Sequence, residues 1–115
     1  MLQLGLTSLW HWTQRLDCTP TNLSIGYWLV ARIYALLGQA DQARQYGQSC
    51  LEVSKGEGIL PFYLAYAYEA LARAESVAAN PGKKKEYLDL AVGVVDKIAD
   101  PAGKNQLLAD LKTIP

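Results

Sequence analysis

Apolar side chains recur at three- and four-residue steps along nearly the whole chain, which is the signature of helices with one buried face. Leu2, Leu6, Leu9, Trp10, Thr13 and Leu16 form one such stripe and predict a helix over about 3–16. The pattern then predicts helices over about 20–37, 41–55, 60–79, 83–99 and 101–113. Sustained strict alternation and the hairpin pairs Asn-Gly and Asp-Gly are both missing, so strands are not expected.

The breaks carry helix punctuation. Thr19-Pro20 and Asp100-Pro101 each pair a capping oxygen with a proline at the first helical position, where no amide donor is missed. Asp41 favours the positive start of the third segment. Gly38 suits the left-handed residue beyond a helix end. Gly56 and Gly58 are read as ending the 41–55 helix, and Asn80-Pro81-Gly82 as the stop of the 60–79 helix. Connections this short force sequential helices to pack antiparallel.

The 20–37 and 41–55 segments place Tyr27, Val30, Ala31, Tyr34, Gly38, Ala43, Tyr46 and Cys50 at intervals that alternate bulk with its absence. Small Ala31, Ala43 and Cys50 let backbones approach, and the tyrosines fill the gaps. This order resembles the tetratricopeptide repeat. The next pair matches more loosely: Tyr63 and Ala67 follow Tyr27 and Ala31 by 36 residues, whereas Tyr87 and Ala91 follow Tyr46 and Cys50 by 41. The difference reads as about five extra residues within "ESVAANPGKKK". "GYWLVARIYALLGQADQA" and "AYAYEALARAES" also resemble small bacterial tetratricopeptide-like proteins, a likeness that implies a fold and no activity.

The resemblance implies an all-α single domain over 1–115, a short right-handed α-solenoid of about six helices. Residues 1–18 act as a capping helix, 19–56 and 59–99 as two units, and 100–115 as a closing helix with Leu107, Leu108, Leu111 and Ile114 inward. In such arrays the first helix of each unit lines a concave groove. Carried over by position, Ile25, Trp28, Arg32 and Ala35 line it from the first unit, and Leu64, Tyr68 and Leu71 from the second. Helix 3–16 has more apolar residues than one stripe can bury, so Leu4 and Trp12 are read as a homodimer contact; the rival reading is that the natural chain starts upstream. The expected function is protein binding, to a second copy or to a peptide or helix of a partner. The alternative is a small-molecule or regulatory-ligand pocket under Trp28 and Tyr68.

Composition narrows the field further. The 115 residues carry 11 basic and 11 acidic side chains, so there is no basic excess for nucleic acid. No apolar run reaches the ~20 residues of a membrane span. Two cysteines and no export signal read as a cytoplasmic protein with reduced thiols. His11 lacks a carboxylate on its face, and Cys18, Cys50 and His11 lack metal-ligand spacing, so neither an enzyme, a metal nor a cofactor is expected. Cys50, in a small-residue position, is read as a buried inert thiol. Glu69 and Arg73, four residues apart, are read with Glu75 as a solvated helix face.

Overall fold

The computed structural model describes residues 19–115. They form five α-helices and, among the described residues, no strand: α1 (Pro20–Leu36), α2 (Ala40–Ser54), α3 (Pro61–Val77), α4 (Pro81–Val95) and α5 (Pro101–Lys112). The helix expected over 3–16, with Leu4, Trp12 and His11, lies outside the described residues, as does Cys18.

Local chemistry sets the boundaries. Thr19 accepts the Asn22 N–H at 3.1 Å, Asn80 accepts that of Lys83 at 3.3 Å, and Asp100 accepts that of Ala102 at 3.2 Å. Each precedes a proline that opens its helix. Asn80-Pro81 therefore starts α4 and does not stop α3. The stop lies one residue earlier, at Ala79, held at φ 58°.

The helix bounds expose a repeat that differs from the one expected. The helices α1 and α3 both span 17 residues and begin 41 residues apart, at Pro20 and Pro61. Their partners α2 and α4 both span 15 residues and also begin 41 apart, at Ala40 and Pro81. No five-residue insertion exists, and the 36-residue match of Tyr27 to Tyr63 is out of register. The turns repeat as well: Gly38 at φ 75° corresponds to Ala79 at φ 58°. Gln39 N–H donates to the Tyr34 carbonyl and Asn80 N–H to the Glu75 carbonyl, both at 2.9 Å. Pro101 opens α5 at nearly the same interval after Pro61.

Helix α3 packs against all four other helices, and α1, α3 and α5 touch in sequence along one side. The expected small positions are buried: Ala31 is 1% exposed, and Ala43, Cys50, Ala67 and Ala91 are at 0%. Rings fill between them, as when Tyr34 stacks on Tyr46 at 5.5 Å and 10°. The absence of a side chain at Gly47 admits Leu71 of α3: a Cβ there would stand 2.9 Å from Leu71 Cδ2. Of the four residues expected inward in the closing segment, Leu107 and Ile114 are buried and Leu111 packs on the core, but Leu108 is exposed.

Candidate functional site

A pocket of about 110 Å³ opens between α1, α3 and α5, lined by Ser24, Ile25, Trp28, Tyr63, Tyr66, Gln106 and Asp110. Ile25 and Trp28, two of the residues read as groove-lining, are among them. The three second-unit residues are not. Leu71 is buried under α2, and Leu64 and Tyr68 are half-buried, packed against both the Cys50–Leu51–Ala67–Leu71 cluster and the core shared by α3, α4 and α5. Ala35 is buried in the α1–α2 core. The cause is the register. A 36-residue carry-over from Trp28, Arg32 and Ala35 lands on Leu64, Tyr68 and Leu71, whereas the true 41-residue interval from Ile25, Trp28 and Arg32 lands on Tyr66, Glu69 and Arg73. A slip of five residues turns a helix face by about 140°.

The corrected positions are the ones that meet. Trp28 Nε1–H donates to Glu69 Oε2 at 2.7 Å. Arg73 donates to Glu69 Oε1 through Nε at 3.0 Å and Nη2 at 2.8 Å. Arg32 Nη1 stands 3.7 Å from the same oxygen and its guanidinium lies over the Trp28 ring at 5.6 Å. Arg73 Nη2 continues to Thr113 Oγ1 at 2.8 Å, beyond the end of α5. One carboxylate therefore ties α1, α3 and the end of α5 together. Glu69 is 1% exposed, Arg73 8% and Glu75 5%. These charges do not form the solvated face expected of them. Glu75 instead takes a two-pronged contact from Arg44 of α2, at 2.8 and 2.7 Å.

A central helix has little water-facing surface left for its polar residues, so each must find a partner within the protein. Among the described residues, every buried side-chain nitrogen or oxygen has one. The sequence signal was available: α3 is apolar or small on nearly every side, the pattern of a buried helix, which leaves little room for a solvated stripe.

The aromatic wall of the pocket is built from rings in mutual contact. Tyr66 meets Trp28 edge-on at 5.6 Å and 88° and touches Phe62 at 4.9 Å. Its hydroxyl donates to Asp110 Oδ2 of α5. Burial, together with that bond and the Asp110 charge, raises the phenol well above its ordinary range. On the far side of Ser24, Cys50 Sγ–H donates to the Ser24 carbonyl at 3.3 Å and Ser24 Oγ pairs with Ser54 Oγ at 2.8 Å. Burial pushes the Cys50 thiol up, which keeps it protonated and unreactive. Among the described residues, no group of three His, Cys, Asp or Glu side chains could hold a metal ion, and no helix is long and apolar enough to cross a membrane.

Compared with protein-family models, curated proteins and solved structures, the chain gives no match.

Proposed function

We propose that this chain is a protein-binding module of tetratricopeptide-like type and not an enzyme. It is read as a short right-handed array of two antiparallel hairpins, α1–α2 and α3–α4, closed by α5. The face made by α1, α3 and α5 takes a segment of another protein. The 41-residue spacing of helix starts supports a repeat, although it exceeds the ~34 residues of the tetratricopeptide unit.

The observation that carries the reading is the pocket between the three first-position helices. Its volume, about 110 Å³, falls below the ~300 Å³ at which small-ligand sites begin. It suits a single apolar side chain. Its lining offers an indole and two tyrosines, and Arg32 lies over the indole; these residue types concentrate binding energy at interfaces. Exposed Gln106 and the Asp110 carboxylate add polar contacts at the α5 edge.

Selection from a displayed peptide library against the full chain tests this. Peptides recovered on the wild type are expected to lose about tenfold or more in affinity, the cost of emptying an anchoring pocket, when Gln106→Trp fills the pocket or Ile25→Glu charges its wall. Neither change touches the Glu69 network. Peptides that bind both variants as tightly as the wild type would place the binding surface elsewhere. Sedimentation of the unliganded chain separates a second copy from a different partner.

A further inference from the structure

A larger cavity, about 560 Å³, opens at another corner of the fold, where the starts of α3 and α5 meet the end of α4. Its size lies within the range of small-ligand sites, roughly 300–1,000 Å³. Its floor is apolar and preformed. Ile98 is 3% exposed, and Gly103 is bare because the Phe62 ring stands over it, 3.2 Å from where a Cβ would be. Phe62 is itself braced against Tyr66. Leu60, 64% exposed, forms an apolar lip.

The mouth carries one charge of each sign, and the two differ in what holds them. The Asp100 carboxylate is engaged on the Ala102 N–H that starts α5. Lys97 lines the cavity, is exposed, and among the described residues makes no ion pair. The start of α3 beside it has no side-chain cap, since Leu60 occupies that position, and the helix dipole there adds positive potential to that of the lysine. An apolar chamber with one unpaired ammonium at its rim complements a molecule with the reverse distribution.

We propose that this cavity binds a free single-chain aliphatic carboxylate, its chain lying on Phe62, Ile98 and Gly103 and its carboxylate on the Lys97 ammonium. The site is separate from the α1–α3–α5 pocket, with which it shares only Tyr63 and Gln106 at the boundary.

The test is a titration of the ¹⁵N-labelled full chain with decanoate and, separately, decyltrimethylammonium, both below their micelle concentrations. Decanoate is expected to give saturable shifts centred on Lys97, Ile98 and Gly103. Lys97→Glu is expected to weaken it about tenfold, the scale of a lost hydrogen bond to a charged group. Ala102→Trp, at an exposed position on the cavity wall, is expected to remove the shifts. Phosphatidylglycerol vesicles, which offer the same chain and charge from a membrane, are expected not to bind. Equal affinity for the cationic amphiphile, indifference to Lys97→Glu, shifts that never saturate, or co-sedimentation with vesicles would each overturn the proposal.

Discussion

The indole N–H of Trp28 donates a 2.7 Å hydrogen bond to Glu69, a carboxylate 1% exposed and standing at the same place in the next repeat. Trp28 is the wall of the pocket, so its orientation rests on a charge that water cannot reach. The carboxylate is in turn committed to Arg73 through its other oxygen. Pocket shape and core electrostatics are therefore one structure.

Removing the carboxylate strands the Arg73 guanidinium. Glu69→Ala is expected to destabilise the fold by about 3–5 kcal/mol, the cost of breaking a buried pair from one side. Glu69→Gln keeps the shape but must turn an amide N–H toward either Arg73 or Trp28, and is expected to recover little of that loss. Trp28→Phe leaves one acceptor oxygen short of a donor and is expected to cost about 1–3 kcal/mol. Urea midpoints of the three variants check the order; a near-neutral Glu69→Ala would contradict the buried network.

The two corresponding turns carry different residues at their left-handed position. Gly38 adopts its left-handed conformation freely, whereas Ala79 holds φ 58° with a Cβ in place. That conformation costs an ordinary residue about 1–2 kcal/mol. Ala79→Gly is expected to stabilise the protein by about 0.5–1 kcal/mol after the added chain entropy of glycine. Gly38→Ala is expected to destabilise it, although nothing crowds that site. Thermal melts of both variants read the opposite signs.

Gly47 and Leu71 test the contact that fixes how α3 is rotated. A methyl at Gly47 gains about 1 kcal/mol of helix propensity but meets Leu71 Cδ2 at 2.9 Å, and overpacking of this kind costs about 1–3 kcal/mol. Gly47→Ala is expected to be net destabilising. Leu71→Ala alone is expected to cost about 2–5 kcal/mol through its cavity. The double variant is expected to be less damaging than the two effects added, because the new methyl enters the space vacated. A double-mutant cycle measures that coupling; strict additivity would mean the two residues do not meet.

Burial raises the Tyr66 phenol, the Tyr46 phenol and the Cys50 thiol above their ordinary values of 10.0, 10.0 and 9.0. The folded chain keeps protons that the unfolded chain has released. Stability from these groups is therefore complete below about pH 9 and declines as pH rises beyond it, with a limiting slope near 1.4 kcal/mol per pH unit for each group. Urea midpoints between pH 8 and 11 are expected to fall. Tyr66→Phe is expected to flatten the portion above pH 10, and an unchanged slope would remove Tyr66 from the explanation.

Much of the fold was legible because it is written locally. Thr19-Pro20 and Asp100-Pro101 start helices where capping chemistry says they must, and Ala31, Ala43 and Cys50 are small where helices approach. The second unit was misread because α3 is apolar or small on nearly every side, from Tyr63 to Leu71, so no stripe singles out one face. Its rotation is decided by Leu71 entering the space at Gly47, a match between two helices that no local pattern displays. The recurring prolines, Pro20, Pro61 and Pro101, held the correct interval. Aligned on them, the first-unit residues Ile25, Trp28 and Arg32 point to Tyr66, Glu69 and Arg73. The buried charges were missed for another reason: Glu69 and Arg73 stand four residues apart, the spacing of a surface ion pair, and that spacing alone does not mark α3 as the central helix.

The most direct measurement of the central claim, that a buried carboxylate fixes the pocket wall, is hydrogen exchange at the Trp28 indole, assigned by comparison with Trp28→Phe. A 2.7 Å bond to an inaccessible Glu69 predicts an N–H resonance shifted downfield and exchanging far more slowly than a free indole, with the protection lost in Glu69→Ala under conditions where that variant is folded. An indole N–H that exchanges at the rate of a solvent-exposed tryptophan in the wild type would contradict it.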